Sequence, residues 1–266
     1  MLQKSLYPLG HTPHEVERLE SQAKLFNDTL LAELASQANQ CLELGTGVGS
    51  NWPILQRINP RLQFTGIDNS NEAITLAKKA HSDSPATFSV MDATDLHYSD
   101  NSFDLVFSKL VLWSIGEKWL TVFDEVLRVL KPGGVFYVYE PYDKGILFSP
   151  PRPSLELLIQ QWGTAALQSG LDPHIGPKVS LAAIAKGFQR VQTKLYPVSA
   201  LSNEHDKYAT ICNNLKNFYF GNAANNLGLI LNKVLREQAL AELSSTNTSL
   251  VMDTFFVTWG YKSQIS

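Results

Sequence analysis

From residue 40 to residue 140, short apolar runs alternate with amphipathic stretches, and this alternation sets the expected architecture. The runs at 40–44, 62–67, 86–91, 103–108 and 135–140 have the length and apolar density of buried strands. Between them, 52–58, 71–80 and 117–130 carry apolar residues at three- and four-residue steps, for example Leu120, Phe123, Val126, Leu127 and Leu130. Strand–helix alternation of this kind predicts a parallel sheet with right-handed crossovers. Upstream, Thr12 can cap a helix with Pro13 at its first position and Glu15 at its third, running to about Ala38. Val16, Leu19, Ala23, Phe26, Leu30 and Leu34 form its apolar stripe.

Beyond residue 145 the spacing loosens. Pro150-Pro151-Arg152-Pro153 marks a loop, 154–169 reads as a helix, and the turn-rich 172–178 leads into a helix at 179–186. Gly187-Phe188 opens a sixth strand to Val198, and Leu250 to Tyr261, rich in Thr, Phe, Val and Trp, fits a last antiparallel strand. The intervening 200–249 are more than a simple connection needs. They read as an inserted helical cap, one helix lined by Tyr208, Ile211, Leu215, Phe218 and Tyr219 and the next by Leu227, Ile230, Leu231, Val234, Leu235 and Leu240. The expected organisation is an N-terminal lid segment and helix (1–38), a Rossmann-like core (39–199), the cap (200–249) and the last strand (250–266). The cap serves either as a cover over the cleft or as the face of a homodimer.

Composition narrows the function classes. A formal net charge of −3 with no block of basic residues leaves no electrostatic footprint for nucleic acid. Hydrophobic content of 44% supports an ordinary buried core. Cys41 and Cys212 form neither a disulfide framework nor a metal-site spacing. The N-terminus lacks the apolar stretch of a signal peptide, and no run approaches a membrane span. A soluble chain in a reducing, cytoplasmic setting is therefore expected.

The candidate chemistry gathers at strand ends. Cys41-Leu42-Glu43-Leu44-Gly45-Thr46-Gly47-Val48-Gly49-Ser50-Asn51 passes from strand through a glycine turn to a helix N-terminus, with Ser50 or Asn51 as its cap. Glycine permits a flat turn against a ligand, and this grammar suits a nucleotide-like group. Leu62 to Asp68 then ends in an acid 23 residues past Gly45, a spacing suited to ribose hydroxyls. Gly45, Asp68, Asp92 and Ser108 all fall at carboxyl ends of strands, where ligands sit on such sheets.

These motifs resemble class I S-adenosylmethionine (SAM)-dependent methyltransferases, most of all the UbiE-like small-molecule type. The resemblance rests on Glu43 with the G-x-G-x-G repeat, Ile67-Asp68, Met91-Asp92-Ala93, Phe103 to Ser108 and Leu130-Lys131-Pro132-Gly133-Gly134. It is close over about 38–140. It implies that Glu43, Gly45, Thr46, Gly47, Asp68, Asn69, Asp92, Ala93 and Ser108 make up the cofactor cleft, with Tyr7 and Arg18 of the N-terminal segment at the methionine carboxylate. Asp104 is read as structural, and His97 as a loop residue. His11 and Tyr142 are the candidate catalytic residues, Glu140 is a further candidate at the cleft rim, and Trp113 either walls the pocket or packs in the core.

The implied reaction is metal-independent methyl transfer to oxygen, nitrogen or carbon of a small acceptor. Strand four lacks the Asn/Asp-Pro-Pro-Tyr/Phe motif of nucleobase amino methylation, no Pro-Cys pair marks a cytosine C5 enzyme, and Ser108-Lys109 replaces the carboxylates of catechol-type enzymes. Two other readings share the fold. One is a non-catalytic SAM-binding or regulatory protein. The other is an NAD(P)-dependent oxidoreductase, against which stands the absence of lysine four residues after any of the nine tyrosines.

Overall fold

The computed structural model describes residues 29–220, 232–245 and 249–264. Among these, one mixed sheet of eight strands carries the fold. The strands are β1 (Gln40–Leu44), β2 (Gln63–Asp68), β3 (Thr87–Val90), β4 (Phe103–Lys109), β5 (Leu130–Pro141), β6 (Leu147–Ser149), β7 (Gln189–Leu201) and β8 (Leu250–Tyr261). They run in the order β3-β2-β1-β4-β5-β8, the first five mutually parallel. β8 is antiparallel to β5 and to β7, which follows it along its whole length. The helices are α1 (Thr29–Gln37), α2 (Trp52–Ile58), α3 (Asn71–Ala80), α4 (Trp119–Val129), α5 (Pro153–Gln168), α6 (Gly176–Ala185), α7 (His205–Phe220) and α8 (Lys233–Leu243).

The expected seven-stranded, mostly parallel Rossmann-like sheet is present with one addition. Leu147–Ser149 pairs with Leu250–Met252 and continues the edge of β8 that β5 leaves at Phe255. Three residues carry no periodicity, so only the partner strand defines them. Lys131-Pro132-Gly133-Gly134 does stop α4, but it lies inside β5 and not in a loop before it. The register with β4 slips there between Phe103 and Leu105, which makes the segment a bulge.

Both faces of the parallel strands are covered, so β1 and β4 are buried almost throughout. Trp52, Phe64, Phe88 and Phe107 cluster on one side of the sheet. Phe123, Phe136 and Phe188 tie α4 to β5 and the turn before β7. Asp104 has the structural place expected of it. Oδ2 accepts the Asn39 and Gln40 amides, and Oδ1 accepts from Lys131 Nζ at 2.9 Å. Burial pushes this carboxyl up, but Lys131 and the amides outweigh it and hold the group below the ordinary range. His97 lies exposed in its loop, and Arg128 fixes that loop through the Leu96 and Tyr98 carbonyls.

Helices α7 and α8, which fall within the expected cap, pack on the rest of the chain. Glu242 of α8 accepts the Ser154 and Leu155 amides at the N-terminus of α5, and buried Arg152 donates to Tyr208 of α7 at 2.6 Å. Residues 221–231, which include part of the second expected cap helix, lie outside the described residues, as do residues 1–28 of the expected lid. Among the described residues no helix is long and apolar enough to cross a membrane.

Candidate active site

The glycine turn after β1 has two different constraints. Gly45 has φ +66°, and a Cβ there would run into the Val111 side chain, lying 3.0 Å from Cγ1. Gly47 has φ +55°, yet a Cβ there would meet nothing among the described residues within 4 Å. Gly45 is thus closed against the turn after β4, whereas Gly47 borders open space at the strand ends. The Thr46 amide donates to the Ile67 carbonyl at 2.8 Å, joining the turn to β2.

Glu43 lies beneath this turn, 2% exposed. Its oxygens accept from Thr46 Oγ1 at 2.7 Å and from Asn51 Nδ2 at 2.5 Å. Burial pushes the carboxyl up to about 7, against the pull of these two donors. Glu43 and Thr46 therefore contribute the shape of the loop through inward-facing side chains. Asn51 occupies the N-cap position of α2 without a side-chain cap bond, because its amide is committed to Glu43.

Asp68 stands at the end of β2. Oδ2 accepts the Gly47 amide and Oδ1 the Ser70 amide, both at 2.9 Å. Asn69 beside it is exposed. Asp92 follows β3, its Oδ1 accepting both the amide and the hydroxyl of Thr94 at 2.8 Å. Ala93 is half-buried at the edge of the core. Ser108 lies inside β4 near its carboxyl end. Its side chain is fully buried in β4, between Leu44 of β1 and Val138 of β5, and its hydroxyl has no partner among the described residues.

The far side of the cleft is built by the turns after β4 and β5. Leu110 has φ +59°, and the following amides of Val111, Leu112 and Trp113 point at Glu140, at 3.0, 2.8 and 3.3 Å. Glu140, expected at the cleft rim, is instead fully buried and wholly engaged by this turn. Burial pushes its carboxyl up to about 8, opposed by the three N–H donors. Trp113 packs in the core against Trp162 and Phe218, its indole N–H bonded to the Leu110 carbonyl at 2.9 Å.

Tyr142 is half-buried, edge-on to Phe256 and to His174. Beside it lies a group that sequence reasoning missed. Asp143 accepts from Tyr219 of the cap helix α7 at 2.7 Å, and Asp253 of β8 is close enough to raise its carboxyl further. Burial is the larger cause, and Asp143 is pushed up to about 8; burial also pushes Asp253 up to about 7. An acid next to Tyr142 was visible in the sequence, but its partners come from α7 and β8. His174 packs edge-on against Tyr142 here, and burial holds its imidazole below the ordinary range. His11, Tyr7 and Arg18 lie outside the described residues. Among those residues, no group of three or more His, Cys, Asp or Glu is disposed to hold a metal ion.

The cleft fits an adenosyl cofactor. Gly47 leaves room where a side chain would stand. Each Asp68 oxygen accepts one N–H and retains a further lone pair, and Asp92 Oδ2 accepts no hydrogen bond from the described residues.

Comparison with known proteins agrees with this geometry. Residues 42–138 match the family described as a methyltransferase domain. The chain is 38% identical over 97 residues to the ubiquinone/menaquinone biosynthesis C-methyltransferase UbiE of Desulfotalea psychrophila, covering 36% of this chain and 39% of that protein. It is 37% identical over 126 residues to the malonyl-[acyl-carrier protein] O-methyltransferase of a Marinomonas species, covering 46% and 45%. In both cases the chain spans under half of the relative's own length. Among solved structures, the [4+2]-cyclase SpnF superposes with a TM-score of 0.56 at 21% identity, covering 88% of this chain and 81% of that one, which shows a shared fold. Residues 42–138 thus match a methyltransferase domain, and over that stretch the chain is similar to the C-methyltransferase UbiE.

Proposed function

We propose that the protein transfers a methyl group from SAM to a small organic acceptor, without calling on a metal ion. The observation that carries this reading is the 2.9 Å bond from the Gly47 amide to Asp68, which ties an open glycine turn to the acid of the next strand. The two relatives are named for methylation at carbon and at oxygen, which supports methyl transfer to an acceptor of either kind, nitrogen being the third possibility.

In this reading Asp68 accepts from the ribose hydroxyls, Asn69 flanks the adenine, Asp92 accepts from the adenine amine and the Ala93 amide donates to a ring nitrogen. The backbone of Gly45 to Gly47 faces the amino acid portion, with Tyr7 and Arg18 at its carboxylate. Bound SAM supplies a methyl carbon activated by positive sulfur. The protein's part is to align the acceptor with it and to exclude water. Tyr142 and His11 stand on the acceptor side, Tyr142 beside Asp143 and His174. The setting is the cytoplasm, with no nucleic acid or membrane partner. A homodimer formed through the cap is tested by sedimentation.

Thermal unfolding with S-adenosylhomocysteine (SAH), SAM, NAD and NADP in parallel tests the proposal. A ligand at ~100 times its dissociation constant stabilises by about 2.7 kcal/mol, a rise of several degrees. A rise with the adenosyl ligands alone is expected. No rise, or one with a nicotinamide ligand only, overturns the reading.

A further inference from the structure

The turn after β4 is held from below and presses on the cofactor loop from above. From below, the Glu140 carboxylate gathers three successive amides, Val111 and Leu112 on Oε1 and Trp113 on Oε2. Such convergence requires the chain to reverse sharply at the end of β4. Leu110 makes the reversal at φ +59°, where a branched side chain is disfavoured and which persists only under outside restraint. The Leu110 amide is still paired with the Tyr139 carbonyl at 2.8 Å, so the strain begins one residue past the sheet. From above, the Val111 side chain fills the volume that a Cβ on Gly45 would occupy. Gly45 opens the turn that continues through Thr46 to Gly47, whose amide meets Asp68.

We propose that Glu140 is a positioning residue for the cofactor loop: its carboxyl group seats the turn after β4, and Val111 on that turn fixes the glycine turn after β1. The proposal rests on the methyltransferase reading for what the loop binds, but the mechanical link is a property of this chain alone. It gives a buried acid at the end of β5 a task distinct from meeting the acceptor. It also explains why Glu140 faces backbone and not the cleft. A glutamine is a poor replacement, because its amide nitrogen offers no lone pair to the Trp113 amide or to the Val111 and Leu112 pair, whereas both oxygens of the acid can accept in either protonation state.

Hydrogen exchange on the full chain, read by mass spectrometry without any ligand, tests the link directly. In the wild type, amides 111–113 and 45–48 are expected to be protected. Glu140→Gln should speed exchange in both segments. Val111→Ala, which leaves the carboxylate bonds in place, should speed exchange at 45–48 and leave 111–113 protected. Calorimetry should show SAH bound about tenfold more weakly by either variant, and the double variant no weaker than the worse single one, since both act along one path.

Unchanged exchange at 45–48 in Glu140→Gln, or additive losses of affinity, would overturn the proposal. If Glu140→Gln does not fold, Val111→Ala alone decides it, unchanged exchange at 45–48 being the adverse result. A wild-type protein that binds no SAH sinks the methyltransferase reading, and the exchange pattern still decides whether Glu140 positions the loop.

Discussion

Tyr219 of the cap helix α7 donates its hydroxyl hydrogen to Asp143 across 2.7 Å, joining residues 76 positions apart. Tyr219 is 2% exposed. The bond ties the cap to the turn that carries Tyr142. Removing the hydroxyl leaves the enclosed carboxyl of Asp143 without its donor. Tyr219→Phe should therefore cost about 1–2 kcal/mol, and urea unfolding should show it. An unchanged midpoint would mean that packing alone seats α7.

Asp68 has two tasks, holding the Gly47 and Ser70 amides and offering its remaining lone pairs to a ligand. Asp68→Ala should weaken SAM binding by on the order of 2 kcal/mol, about thirtyfold, through loss of a charge-assisted pair of hydrogen bonds. Titration calorimetry with SAM measures this. Equal affinity in variant and wild type would remove Asp68 from the cofactor site.

The two glycines separate stability from binding. Gly45→Ala combines φ +66° with a collision against Val111, so it should lower stability by several kcal/mol or prevent folding. Gly47→Ala meets no atom of the described residues and bears the conformational cost of φ +55°, roughly 1 kcal/mol. It should fold and yet lose SAH affinity, because its methyl enters the open space of the cleft. Denaturation paired with calorimetry on both variants distinguishes the two effects. Retained affinity in Gly47→Ala would show that this space lies outside the cofactor site.

Stability should fall as pH rises through neutrality. Burial raises Glu43 and Asp253 to about 7, and Glu140 and Asp143 to about 8. Each therefore holds a proton more tightly in the folded chain than in the unfolded one. That stabilisation is full below the ordinary carboxyl range, near pH 4, and is lost progressively as pH climbs to about 8. Asp104 and Glu125 act in the opposite direction. Asp104 is held low by Lys131 and two amides despite burial, and Glu125 is held low by its bond to Arg128. Their contribution is lost as pH falls below the ordinary range. Urea midpoints across pH 4.5–9 should thus be higher near pH 5.5 than near pH 8.5. A midpoint that rises over that interval would contradict the buried, protonated carboxyls.

The sequence alone determined those parts of the protein whose causes are local. The strands β1 and β2, the helices at 52–58 and 71–80, and the glycine turn with its acid were legible because periodicity, caps and glycine act over a few residues. Asp104 was readable as structural from its place at a strand entry, although its partners, the Asn39 and Gln40 amides and Lys131, come from distant parts of the chain. Tertiary structure decided whatever depends on a partner far along the chain. The separations of 29 positions from Val111 to Glu140 and of 76 from Asp143 to Tyr219 hid both contacts. β6 exists only against β8, and Ser108 is buried because β4 lies between β1 and β5 in the middle of the sheet. Trp113 packs in the core because α5 and α7 supply Trp162 and Phe218. A carboxylate reads the same in sequence whether it will face a ligand or three backbone amides. Only the packing that strips water from Glu140 and aims those amides at it settles its role.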